Sequence, residues 1–134
     1  MNSNKDPYPE NFYRGIDFFN RQFYYECHDV WEEVWGNAKG EEKIFYQALI
    51  MAAVSLYHFG NDNLKGALSC YQKSLERFRQ LPNQFFQFNV PRFVKQMEGF
   101  YFGISVEKTH WTQDLRDKPR PTIKLEGEES SLCN

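Results

Sequence analysis

Apolar positions recur along most of this chain with the period of a helix. Phe12, Ile16 and Phe19 fall at i, i+4 and i+7, the spacing of one helical face. Asp6-Pro7 or Pro9 predicts the start of this first helix, because proline is tolerated in a first turn. After the polar break Asn20-Arg21-Gln22, a second helix is predicted over residues 23–35, closed by Gly36. At about 100° per residue, Tyr24, Cys27, Trp31, Val34 and Trp35 share one side of it. Glu26, Asp29 and Glu33 form an i, i+3, i+7 stripe on the other, read as a solvated face.

The third predicted helix, residues 41–59, has no stripe at all. Phe45, Leu49 and Leu56 point one way, Tyr46, Ile50 and Tyr57 another, Met51 and Val54 a third. A helix that is apolar all round belongs in the middle of a bundle. Gly60 closes it, and Asn61 or Asp62 is expected to cap a fourth. The fourth runs over residues 64–81 as a clean amphipathic pattern, with Leu64, Ala67, Leu68, Tyr71, Ser74, Leu75 and Phe78 inward, and Pro82 ending it. The aromatic loop Gln84-Phe85-Phe86-Gln87-Phe88 has to tuck under something or offer itself to a partner. Asn89-Val90-Pro91 opens a fifth helix whose apolar face reaches Ile104. Pro119 and Pro121 then forbid regular helix. Residues 122–125 are expected to lie extended, and the acidic run from Glu126 to be mobile. The pattern predicts an all-α fold: a compact bundle of about five helices around a central apolar third one. Residues 1–115 form the single domain and 116–134 an extended or mobile tail.

Composition narrows the class. The 134 residues fit one domain, large enough to bury a real core. With 13 Phe and 8 Tyr, that core is heavily aromatic, or part of the aromatic surface serves a partner. A net charge of −2, without clustered Lys and Arg, is no nucleic-acid footprint. The longest apolar run, residues 44–59, is interrupted by Gln47, Ser55 and His58 and is short for a membrane span. Cys27, Cys70 and Cys133 form neither a disulfide framework nor a metal-spacing motif, and read as reduced thiols. The N-terminus has no signal-peptide character. Together these place the chain in the cytoplasm as a soluble protein.

Candidate chemistry concentrates in residues 23–35, which hold one histidine, four acids, two tryptophans and a cysteine. His28 lies among the aromatics and not on the acidic stripe. Glu32, one turn on, is within its reach. Gln47 and His58 share one face of the third helix with Met51 and Val54. A short loop packs the second and third helices antiparallel, which makes His28 and Glu32 the natural partners of Gln47 and His58. Two readings of this set stand side by side. One is a buried hydrogen-bond network that fixes helix register. The other is a partly polar pocket.

The ordered line of these residues resembles one family, the uncharacterised all-α family known as domain of unknown function 309. Its pattern is an aromatic pair, E-x-H-[DE]-x-x-E-x-x-W, a helix carrying Gln and later His, and a Gly-rich helix start. Tyr24, Tyr25, Glu26, His28, Asp29, Glu32, Trp35, Gln47, His58, Gly60 and Gly66-Ala67 stand at those places. Met51 departs from it, where relatives often carry a second Gln. The resemblance covers about residues 8–82. It implies a compact helical fold and no activity.

Other motifs carry less. The Ala67, Tyr71, Ser74 spacing is that of one tetratricopeptide hairpin, but no second copy follows. A di-metal bundle site needs Glu-x-x-His on two helices, and the chain has only Glu107 to His110. No nucleophile elbow, P-loop or dinucleotide fingerprint is present. The expectation is therefore a small binding or interaction module. Its candidate pocket is Glu26, His28, Asp29, Glu32, Trp35, Gln47 and His58. Its partner is a small ligand or a protein, with the exposed aromatics near Phe85 as a second surface or a homodimer contact. No cofactor is predicted. The alternative is a metal-dependent or acid–base hydrolase-type enzyme, in which His28, Glu32 and His58 hold one divalent metal or act as base and partner.

Overall fold

The computed structural model describes residues 8–107 and 112–126. Expectations for residues 1–7, His110, Cys133 and the tail beyond Glu126 lie outside the described residues. The elements in chain order are α1 (Glu10–Asn20), α2 (Tyr24–Gly36), α3 (Gly40–Gly60), α4 (Leu64–Phe78), the two-residue strands β1 (Gln84–Phe85) and β2 (Phe88–Asn89), α5 (Val90–Tyr101) and α6 (Gln113–Arg116). The fold is all-α, with one tiny antiparallel hairpin.

Each helix packs against the next, and α3 lies between α2 and α4. Its ten buried residues, from Phe45 to Phe59, cover all but one face, where Gln47, Met51, Val54 and His58 are only partly buried. That is the arrangement the missing stripe predicts. Two serines stitch α3 to α4 reciprocally. Ser55 Oγ donates to the Ala67 carbonyl at 2.8 Å, and Ser74 Oγ donates to the Ala48 carbonyl at 2.7 Å. Ser55 in turn accepts from the Tyr101 hydroxyl of α5. Both serines are buried and both are paired, as a dry interface requires. On the other side, Trp31 of α2 is fully buried against α1. Its Nε1 donates to the Phe12 carbonyl at 3.1 Å, and its indole lies against Gly15, where no side chain stands in the way.

The structure corrects several boundaries. Pro9 is the N-cap of α1, not its first residue. The fourth helix ends at Phe78, three residues early, and the fifth at Tyr101, because Gly103 takes a φ of +77°. Asn63, not Asn61 or Asp62, caps α4, accepting from Gly66 N at 3.0 Å. The short α6 was not expected; Thr112 caps it. The aromatic loop is the hairpin, and it tucks. Phe85 and Phe88 are buried, with ring centroids 4.8 and 5.0 Å from Phe45. Only Phe86 is exposed, at a φ of +54° that a bulky residue rarely adopts. The surface expected near Phe85 is therefore mostly interior.

Beyond α6 the chain runs extended as a strap over residues 119–126. Pro121, Ile123 and Leu125 are buried and Thr122 and Lys124 exposed, the alternation of an extended chain packed on one side. The strap is pinned to three elements. Asn20 of α1 exchanges two hydrogen bonds with the Ile123 backbone, at 2.7 and 2.9 Å. Gln96 of α5 does the same with Thr122. Glu126 N donates to the Gln87 carbonyl at 2.7 Å, and its carboxylate lies 3.2 Å from Arg92. Glu126 is thus anchored, not the first mobile residue. Leu125→Ala is expected to cost about 2–3 kcal/mol, the low end for a buried leucine because the strap can partly collapse. Urea unfolding checks it, and a midpoint equal to wild type would show that the strap rests on the core without being packed into it.

Candidate functional site

The antiparallel packing of α2 on α3 brings the first turns of one against the last turns of the other. Tyr24, Tyr25 and His28 meet Val54, Tyr57 and His58 around an apolar hollow of about 150 Å³. Tyr25 and Tyr57 stand at its mouth, 61% and 40% exposed, with ring centroids 6.0 Å apart. Beyond them lies a second hollow of about 270 Å³, which adds Phe23, Glu26, Leu56, Asn61 and Arg120. Tyr24 lines both. Its side chain is 7% exposed, and its hydroxyl is buried with no hydrogen-bond partner. An unsatisfied buried hydroxyl costs about 1–3 kcal/mol. Burial also raises the pKa of this phenol well above that of an ordinary tyrosine, with Arg120 pulling the other way.

Both imidazoles are held from behind. His28 Nε2 is 3.0 Å from Glu32 Oε2, an i, i+4 pair in which His28 is 29% exposed and Glu32 54%. When His28 is neutral, that bond uses Nε2 as donor and leaves Nδ1 as acceptor. His58 Nδ1 is 3.2 Å from Asn63 Nδ2. An amide nitrogen only donates, so Nδ1 accepts and the ring proton sits on Nε2. The amide orientation is fixed by the cap, in which Asn63 Oδ1 serves Gly66 N. A Cβ at residue 66 would lie 2.5 Å from Asn63 Nδ2, so the glycine keeps room for this side chain.

Of the expected pocket residues, the structure gathers His28 and His58, with Glu32 behind the first and Glu26 in the neighbouring hollow. Asp29 is exposed on the solvated stripe. Trp35 lies two turns past His28, about 10 Å along the axis, under the ammonium of Lys43 at 4.3 Å from its ring. Gln47 is displaced by about 10 Å from Val54 in the same way. The expected network across the interface is replaced by local partners, Glu32 for His28 and Asn63 for His58. Among the described residues no three His, Cys, Asp or Glu side chains come together to hold a metal. The pocket expected from the sequence left out Tyr24, Tyr25, Val54, Tyr57 and Asn63. The signal for Tyr57 was its place on a helix whose core needs were already met by other faces.

Comparison with known proteins bears on this same stretch. The chain is 34% identical over 68 residues to a protein of Aquifex aeolicus (strain VF5) described as "Uncharacterized protein". The match takes in 50% of this chain and 20% of that protein, so the chain spans about a fifth of the length of this curated relative. The resemblance read from Tyr24 through Ala67 is borne out by the family model, for residues 12–70, which hold both walls of the hollow, match the family described as Domain of unknown function (DUF309).

Proposed function

We propose that the protein is a small binding module whose α2–α3 hollow receives an aromatic side chain from a protein partner. The observation that carries this is the apolar hollow itself, walled by Tyr24, His28 and Val54, with Tyr25 and Tyr57 exposed at its mouth. The volume, about 150 Å³, suits one ring-sized group. Exposed Tyr25, Tyr57 and Phe23, which is 44% exposed, supply the rigid aromatic rim that interface centres favour. This reading calls for no cofactor. We place the protein in the cytoplasm, on the free thiols of buried Cys27 and half-buried Cys70; no helix among the described residues is long and apolar enough to cross a membrane.

N-acetyl-tyrosinamide is the probe. Titrated into isotope-labelled protein, it is expected to shift the resonances of Tyr24, Tyr25, His28, Val54, Tyr57 and His58 together, and to saturate. Val54→Phe, which fills the hollow from its own wall, is expected to abolish the effect while leaving the helical spectrum intact. Shifts scattered over the surface, or unchanged in Val54→Phe, would refute the pocket.

A further inference from the structure

We propose a second binding site, at the opposite end of the α2–α3 hairpin, for a small organic polycation of the alkyl diamine or polyamine class. A cleft of about 750 Å³ opens where the start of α1, the end of α2 and the start of α3 converge. Tyr8, Glu10, Asn11, Glu33, Glu42 and Tyr46 give it its chemistry, and no Lys or Arg among the described residues lines it. Two nearby cations have partners of their own, Arg14 at the edge of the cleft and Lys43 outside it. Arg14 Nη1 donates to Asn11 Oδ1 at 3.0 Å, and Lys43 lies over the Trp35 ring.

The carboxylates alone do not make a site. Glu10 and Glu42 stand in the first turns of α1 and α3, where the helix dipole favours negative charge. Glu33 is held by Asn11 Nδ2 at 2.8 Å. What these local reasons leave out is Tyr46. Its side chain is 1% exposed, yet its hydroxyl has no hydrogen-bond partner and the residue lines the cleft. Burial and the charge of Glu42 keep this phenol protonated. Tyr8 beside it has spent its own hydroxyl on the Phe85 carbonyl, at 2.9 Å.

The cleft therefore offers three negative charges and one hydroxyl in want of a partner. An anion meets only repulsion there. A neutral guest leaves the carboxylates uncompensated. A bare metal ion needs its acids gathered, and no three acidic, His or Cys side chains among the described residues are close enough. Separated carboxylates match a ligand with separated ammonium groups. Its ammonium groups meet the carboxylates, and one N–H donates to the Tyr46 oxygen. The site shares no residue with the hollow proposed above and stands or falls apart from it.

Calorimetric titration with spermidine at constant ionic strength tests it. Saturable one-to-one binding is expected. Tyr46→Phe, which removes only the oxygen, is expected to weaken it about tenfold, the loss typical of a hydrogen bond to a charged group. Glu33→Gln and Glu42→Gln are each expected to weaken it with the helical spectrum unchanged. Absence of saturation, equal affinity in Tyr46→Phe, or equally effective competition by Mg²⁺, which would mean charge screening alone, each overturns the proposal.

Discussion

Gly15→Ala is expected to destabilise the protein by at least about 3 kcal/mol, the upper range for an overpacked core site. On an open helix the same change stabilises, because glycine costs about 1 kcal/mol relative to alanine there. The sign is reversed by Trp31. A Cβ built at residue 15 lies 2.0 Å from Trp31 Nε1 and 2.4 Å from its Cδ1, well inside any contact that real atoms keep. The indole cannot step aside, because it is fully buried and its Nε1 is bonded to the Phe12 carbonyl. Either α1 lifts from α2 or the ring leaves its place. Urea unfolding of Gly15→Ala, Trp31→Leu and the double variant measures the coupling. Trp31→Leu costs stability by itself, yet adding Gly15→Ala to it should cost far less than in wild type. Additive losses would show that the two residues do not meet.

The second large effect is in alkali. Tyr8, Tyr24, Tyr46 and Tyr101 are buried, and burial raises each phenol far above its ordinary value; the Cys27 thiol is raised in the same way. The folded pKa exceeds the unfolded one for every group. Below about pH 8 both states hold their protons and the stabilisation is fully present; the unfolded thiol begins to ionise first, at about pH 8.5. Above about pH 10 the unfolded chain releases protons that the folded chain keeps, so stability falls as pH rises toward the folded values. Four tyrosines together remove about 5 kcal/mol per pH unit, against a total of about 5–15 kcal/mol for a domain. Helix content is expected to collapse cooperatively between about pH 11 and 12, with the buried tyrosines ionising in the same step. Tyrosinate absorbance and far-UV ellipticity, followed together, check this. Full ionisation of all tyrosines while the helices remain would contradict it. Tyr46→Phe should move the collapse to higher pH, since it removes one of the titrating groups and an unpaired hydroxyl at once.

Much of this architecture was legible in the residues. The absence of a stripe in α3 placed it centrally, and the acidic stripe of α2 is solvent-exposed as read. His28 and Glu32 were legible as a pair because i, i+4 contact is a property of one helix. What periodicity cannot supply is position along the axis. It put Gln47, His58, Trp35 and His28 on facing sides, but they are spread over several turns, and the hollow gathers His28 and His58. The partner of His58 was hidden for another reason. Asn63 reaches it through a loop in which Asp62 takes a φ of +63°, and nothing in helical spacing announces that turn. Phe85 and Phe88 form a hairpin only because Phe45 and Phe78 are there to receive them. That is tertiary context, not local preference.

The strap changes how the fold must assemble. The largest helix–helix interfaces join neighbours in sequence, so helical hairpins can form early and independently. The bonds between Asn20 and Ile123 span 103 positions, and closing so long a loop is worthwhile only once both ends have a surface to meet on. The strap is then the last piece to settle and the first to lift. Its contribution acts on the rate of opening more than on the rate of folding. In stopped-flow experiments Leu125→Ala should unfold faster and refold at nearly the wild-type rate, whereas slowed refolding would place the strap in the folding nucleus. On a ribosome, α1 and its neighbours would wait, packed but not fastened, until the segment around Ile123 emerges.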